Sequence, residues 1–193
     1  MSHKTSDVLL RRVIDIPSPP VSIALPGGKA IVIRPLNSAD HARLAGLFAR
    51  MSEKSRQQRF FAPKPTLSNR ELRFFTDVDH VRHEALGAID QNTGALIGVA
   101  RYVQYGDQPG IADVAVEVAD ADHATGVGGA LMGGLIDRAR ANGFDCLSAT
   151  AKWDNRAARA LARQAGFRAR SSSGDEIMLA ISLRTEPGGV LSG

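Results

Sequence analysis

Between Ile111 and Gly143 an alternating strand pattern runs into a cluster of glycines that opens directly into a helix pattern. Ala112, Val114, Val116 and Val118 alternate with Asp113, Ala115, Glu117 and Ala119, the period of two of a pleated strand. A polar turn, residues 120–125, leads to Gly126, Gly128 and Gly129. Leu131, Met132, Leu135, Ile136 and Ala139 then recur at helical spacing, and Asn142-Gly143 is a stop signal. The first N–H groups of a helix have no partner within the helix, and glycine lets a ligand come close to the backbone. The junction therefore predicts an anion site.

Two familiar phosphate patterns fail here on particular residues. Gly128 and Gly133 have the GxxxxG spacing, but Gly134-Leu135 follows where Lys-Ser or Lys-Thr is required. A GxGxxG pattern started at Gly126 requires glycine where Leu131 stands. What remains is His123-Ala124-Thr125-Gly126-Val127-Gly128. It resembles the pyrophosphate loop of the GNAT family of acyl-CoA-dependent N-acetyltransferases, Gln/Arg-x-x-Gly-x-Gly/Ala, with His123 in the first position. A second segment, Asn155 to Phe167, reads NRAARALARQAGF. Ala157, Ala158, Leu161, Ala162 and Ala165 form its apolar helical face. It resembles the GNAT segment Asn-x-x-Ala-x-x-Leu-Tyr-x-x-x-Gly-Phe, matching at Asn155, Ala158, Leu161, Gly166 and Phe167. Ala162 stands where the family often has a tyrosine that protonates the leaving thiolate. A predicted strand, residues 146–151, joins the two segments in the family order.

The resemblance covers residues 29–184 and is nearest to bacterial domains of the protein-lysine acetyltransferase type. It implies one α/β (α+β) domain with a mixed, mostly antiparallel sheet of about six to seven strands, splayed at the central strand and flanked by about four helices. It implies acetyl-CoA as cosubstrate and a primary amine, on a protein lysine or a small molecule, as acceptor. It places the pyrophosphate on the N–H groups of Thr125, Gly126, Val127, Gly128, Gly129 and Ala130, with His123 at the edge of the loop. The pantetheine arm then pairs with the strand at Val116 and Val118 and reaches Asn155, which also caps its helix. N–H groups near these valines would hold the oxyanion.

A lysine amine has a pKa near 10.4, so a carboxylate that accepts its proton helps at neutral pH. Asp113 and Glu117 share a strand face but lie roughly 13 Å apart, so at most one touches the amine. Asp113 stands where the lysine-acetyltransferase-like domains carry their glutamate base, one methylene longer. A non-catalytic acyl-CoA-binding regulatory module is the competing reading, supported by His123, Ala162 and Asp113.

The rest of the chain predicts an N-terminal arm over residues 1–28, broken by Pro17, Pro19, Pro20, Pro26, Gly27 and Gly28, with a docking element over Val8 to Ile16. A strand over Ala30 to Arg34 precedes a helix starting at Ser38-Ala39-Asp40. Residues 52–61, SEKSRQQRFF, resemble the GNAT segment that lines the acceptor site; Arg56 and Arg59 are read as packing or solvent residues in preference to partners of substrate carboxylates. A further helix, residues 68–77, and a hairpin of residues 84–90 and 96–105 around the turn at 90–94 follow. After Phe167 come a strand, a polar turn over residues 171–175, a last strand over 176–183 and a loose tail, 185–193.

The hydrophobic content of 44% over 193 residues suits one globular domain. No apolar run reaches the roughly 18 residues of a membrane span, and no signal segment opens the chain. The single cysteine, Cys146, rules out an intrachain disulfide and points to a reducing cytoplasm. The net charge of +4 is scattered without interleaved aromatics, so no nucleic-acid partner is expected. The five histidines show no zinc spacing, so no metal is expected. A homodimer is left open.

Overall fold

The protein is described here by a computed structural model over residues 20–106 and 108–184. Its strands are β1 (Val21–Ala24), β2 (Ala30–Pro35), β3 (His83–Asp90), β4 (Leu96–Gln104), β5 (Ile111–Val118), β6 (Cys146–Lys152), β7 (Arg168–Ser173) and β8 (Glu176–Ser182). They form one sheet in the order β1-β2-β3-β4-β5-β6-β8-β7. Every neighbouring pair is antiparallel except β5 and β6. That exception follows from the connection, since a parallel pair needs a long crossover and residues 119–145 supply one.

Five helices flank the sheet: α1 (His41–Ala49), α2 (Glu53–Phe60), α3 (Asn69–Thr76), α4 (Val127–Ala141) and α5 (Arg156–Gln164). The crossover α4 and the following α5 cover one face, where Leu131, Leu135, Ala112, Val114 and Leu147 make a common core with Leu161 and Ala162. α1 and α3 cover the other face through Leu44, Leu47, Leu72 and Phe75, packed on Leu96 and Val99. Local chemistry starts several of these helices. Ser68 and Glu71 form a reciprocal capping box at α3, and Ser52 accepts the Ser55 N–H at the start of α2.

Among the described residues there are eight strands and five α-helices, against the six to seven and four expected. The additional strand is β1, inside the stretch assigned to the arm, where it pairs Val21 with Ile33 through to Ala24 with Ala30. The additional helix is α2. β7 also continues to Ser173, through serines read as a turn, because β8 opposite supplies a ladder for them. The element expected over residues 8–16 and the tail over residues 185–193 lie outside the described residues.

One close approach fixes α4 on the sheet. A Cβ added to Gly98 of β4 would stand 3.0 Å from Leu131 Cδ1, 3.1 Å from Val127 Cγ1 and 3.2 Å from the Glu117 carbonyl oxygen. Two of these contacts belong to the first turns of α4, so a side chain there would lift the helix start. Gly98→Ala should therefore lower unfolding stability by about 1–3 kcal/mol, the usual cost of overpacking. Gly46→Ala on α1, whose Cβ would meet nothing nearer than Arg50 Nη1 at 3.5 Å, should be neutral or stabilising by about 0.5–1 kcal/mol. Urea denaturation of both variants checks the contrast.

Candidate active site

β5 and β6 are paired only from Ile111–Cys146 to Asp113–Ser148. Both strands run on, β5 to Val118 and β6 to Lys152, so they part beyond that point. The hydrogen bonds on the other edge of β5 set its phase. Tyr105 N–H donates to Ile111 O at 2.9 Å, and Ala119 N–H donates to Ile97 O at 2.9 Å. Odd-numbered residues therefore turn their backbone toward β4, and even-numbered ones turn it toward β6. Past the parting, Val116 and Val118 direct their backbone groups into the gap.

From Val118 the chain enters a short 3₁₀ turn, Asp120–Asp122, and then the glycine loop. Ala124 takes φ +60° and Gly126, at the N-cap of α4, takes φ +97°. Gly126 has no side chain to occupy the helix end. The bond from Ala130 N–H to Gly126 O, 3.0 Å, leaves the N–H groups of Val127, Gly128 and Gly129 without helical acceptors. The first turn of α4 carries no acidic residue, so the positive end of the helix is not neutralised from within. A Cβ on Gly129 would meet nothing within 4 Å, whereas one on Gly128 would stand 3.3 Å from Leu161 Cδ2 of α5. A groove of about 370 Å³ continues from Gly129 between α4 and α5, past Gly133, Arg140 and Leu161.

The turn is braced on both sides. The Thr125 hydroxyl donates to Asp122 O at 2.7 Å. The buried Asp122 carboxylate is paired with Lys29, which also lies 3.4 Å from Asp90. His123 Nε2 donates to Val118 O at 3.0 Å, which puts the ring proton on that nitrogen. The expected loop-edge histidine thus already holds one carbonyl of the gap. Asn155 Oδ1 accepts the Ala158 N–H at 3.0 Å and caps α5. Ala162 is buried on the inner side of α5 and offers no hydroxyl.

The two candidate carboxylates lie on the opposite face and in different surroundings. Glu117 is 8% exposed, and both of its oxygens are engaged. Arg101 Nη2 donates to Oε1 at 2.7 Å and Arg59 Nε to Oε2 at 2.5 Å. Burial pushes its pKa up, but the two guanidinium groups outweigh burial and hold it below the ordinary glutamate range. Arg101, 2% exposed, also donates to Phe75 O at 2.9 Å and lies 4.3 Å from the Phe75 ring centroid. Asp113 reaches the surface and accepts from Ser148 Oγ at 3.1 Å. The packing around its carboxyl group still disfavours the charge. Its pKa is raised, against the opposing Ser148 bond and Arg59 charge.

Arg59 does pack against neighbours, 17% exposed on its side chain and 4.9 Å from the Phe60 ring centroid, but its bond to Glu117 gives it a specific partner that the packing reading does not name. Arg56 does pack, with its guanidinium 5.5 Å from the Phe48 ring centroid. The signal that could have revealed Arg59 is Glu117 itself. A carboxylate buried at the far end of the central strand needs a cation beside it. Among the described residues, no group of three or more His, Cys, Asp or Glu is placed to hold a metal ion, and no helix is long and apolar enough to cross a membrane.

A strand that parts from its neighbour and feeds an uncapped helix start is the arrangement of an acyl-CoA-dependent acetyltransferase. The chain belongs to the acetyltransferase (GNAT) family, whose model matches residues 49–167. An acetyltransferase of Pseudomonas aeruginosa is 32% identical over 146 residues, covering 75% of this chain and 78% of that one. Acetyltransferase Pat of Mycolicibacterium smegmatis is 29% identical over 148 residues, covering 76% of this chain; the match spans only 44% of Pat. The crystal structure of the GNAT domain of S. lividans PAT matches with a TM-score of 0.79 at 27% identity, covering 84% of this chain and 96% of that domain.

The Glu117 cluster gives a stability prediction. Glu117→Gln leaves Arg101 buried without its countercharge and should destabilise by about 3–5 kcal/mol near neutral pH. Because the folded-state pKa of Glu117 is depressed, its contribution is fully present above the unfolded value near 4.5 and fades as pH falls through the lower folded value. Urea titrations should show the gap between wild type and variant narrowing below about pH 4.5.

Proposed function

We propose that the protein transfers an acetyl group from acetyl-CoA to a primary amine, on a protein lysine or a small molecule, by direct attack without a covalent enzyme intermediate. The observation that carries this is the convergence, at one strand end, of the open N–H groups of Val127, Gly128 and Gly129 with backbone groups at Val116 and Val118 that β6 does not pair. The pyrophosphate takes those N–H groups, with Thr125, Gly126 and Ala130 completing the cradle. The pantetheine arm enters the gap as an added strand, and the adenosine end follows the groove between α4 and α5. His123 keeps Val118 O, so the arm's amide N–H bonds elsewhere on the strand. Asn155, with its oxygen committed to the cap, turns its NH₂ to the arm.

The amine approaches from the Asp113 face. Its nitrogen attacks the thioester carbonyl, the C–N bond forms, and strand N–H groups at Val116 and Val118 stabilise the oxyanion. The C–S bond breaks, and the sulfur leaves as thiolate. The proton shed by nitrogen passes to Asp113, directly or through one water, and a raised pKa makes that carboxylate a better acceptor. A thiol has a pKa near 8.5, so the leaving group tolerates Ala162 in place of a proton donor. Glu117 is too firmly held by Arg59 and Arg101 to move a proton. We assign it a positioning role in place of the catalytic one.

Gly129→Asp tests the cradle. The new side chain has open space, so the fold should persist. Its carboxylate would take the helix N–H groups that the pyrophosphate needs, and acetyl-CoA affinity should fall at least about tenfold by calorimetry. Unchanged affinity would place the cofactor elsewhere.

Asp113→Asn tests the base. Turnover should fall by about 10²–10⁴-fold while acetyl-CoA binding persists. Because folding raises the Asp113 pKa, the ionised group works against the fold above its unfolded value near 3.8, so the variant should be at least as stable as wild type at neutral pH. A thermal melt alongside the rate assay reads both halves. Equal turnover in the two proteins would remove Asp113 from the mechanism.

A further inference from the structure

α2 has no buried residue along its length, yet it lies against the cofactor strand. Its sequence, EKSRQQRF, offers an apolar anchor only at its last residue, where Phe60 meets the rings of Phe48 and Phe75 at 5.6 and 6.2 Å. Polar bonds hold the rest. At the N-terminal end, Ser52 N–H donates to Asp120 Oδ2 at 2.8 Å, and the Ser55 hydroxyl donates to Asp120 Oδ1 at 2.7 Å. At the C-terminal end, Arg59 Nε donates to Glu117 Oε2. Both carboxylates come from one stretch, the end of β5 and the turn that leads into the phosphate loop.

Asp120 lies at the junction of the two sides. One oxygen is 3.7 Å from His123, whose ring holds Val118 O in the gap. Both oxygens also face the start of α2, where a negative charge meets the positive end of the helix. The facing charges are few. His123 lies on Asp120's own turn, and Glu53 lies in the first turn of α2. Arg59 is committed to Glu117.

We propose that Asp120 is a positioning residue for the acceptor: it fixes α2 beside the cofactor strand, so that the amine-binding side is shaped by a carboxylate of the cofactor turn. The inference rests on the reading that the amine enters on the Asp113 face, which α2 borders. It predicts that losing Asp120 weakens acceptor binding and leaves the phosphate cradle intact, since the N–H groups of Val127 to Gly129 do not involve it.

The test compares wild type, Asp120→Ala, Asp120→Asn and Ser55→Ala. Hydrogen exchange of amides 54–60 reads α2 without any acceptor. Calorimetry reads acetyl-CoA affinity, and steady-state kinetics with poly-L-lysine as acceptor read KM and kcat. Asp120→Ala removes two hydrogen bonds, one of them from a backbone N–H to a charged group. Exchange in α2 should rise about tenfold or more, and the acceptor KM should rise by a similar factor. Affinity for acetyl-CoA should stay within about twofold. Asp120→Asn, keeping one acceptor oxygen, and Ser55→Ala, losing one bond, should fall between. Unchanged exchange in α2 overturns the proposal. Faster exchange with an unchanged acceptor KM also overturns it, leaving Asp120 a purely structural part. Equal losses of acetyl-CoA and acceptor affinity would assign Asp120 to the cradle instead. If wild type turns over no amine, the reading of the reaction fails; the exchange data still judge whether Asp120 anchors α2.

Discussion

The constraint on which the structure turns is the separation of β5 from β6 after Asp113 and Ser148. A sheet that opens in its middle leaves backbone groups facing each other with nothing between them, and unpaired buried backbone is costly. Here the cost is confined to a few residues. β5 remains laddered to β4 along its whole length, so only its even-numbered residues lose partners. His123 restores one of them by donating to Val118 O. The remaining groups at Val116 and Val118 suit an amide-bearing ligand of strand-like shape. The same separation lets α4 begin directly behind the gap, with its unbonded N–H groups at the end of the opening.

Keeping that geometry is a packing problem, and its solution lies on β4. Gly98 brings Val127 and Leu131 against the sheet, so the first turn of α4 cannot drift from the strand that precedes it. The bracing of the turn then works through charge. Asp122, at the entry to the loop, is held by Lys29, while Asp120 in the same turn is bonded to the start of α2. A loop with three glycines near the helix start would otherwise be free to sample many conformations. Its bracing comes from Asp122, whose carbonyl takes the Thr125 hydroxyl and whose carboxylate takes Lys29, outside the glycine run, which leaves the backbone of the run bare for a ligand.

Legibility in the sequence followed the physical period of each element. β5, α4, β6 and α5 were readable because their apolar residues recur at 2.0 or 3.6 residues, and their ends carry glycine or asparagine signals. α2 was not readable as a helix, because EKSRQQRF has no apolar stripe. Its order comes from Ser52 at its cap and from Asp120 and Glu117, more than fifty residues away. β1 was hidden for the opposite reason. VSIA is short and bounded by proline and glycine, and only the edge of β2 makes it a strand. For the site, glycine spacing pointed to the loop, since backbone requirements leave a mark on sequence. The separate surroundings of Asp113 and Glu117 left none, because they depend on Arg59, Arg101 and Ser148, which three other elements bring in.

Those surroundings divide the work of two carboxylates on one strand face. Glu117, buried and bonded by two guanidinium groups, has its pKa held below the ordinary glutamate range and both of its oxygens engaged. Such a group can orient neighbours, but it is a poor proton acceptor, because every protonation must break a strong pair. Asp113 has a single weak partner in Ser148, a path to the surface and a pKa moved upward. The burial and pairing that fit Glu117 to hold Arg59 and Arg101 are what disqualify it as the base. The half-open position that makes Asp113 a weak structural contact is what suits it to the role of base proposed above. Four residues along one strand separate the two surroundings, because Glu117 lies between Arg59 of α2 and Arg101 of β4, whereas Asp113 is exposed beside Ser148 of β6.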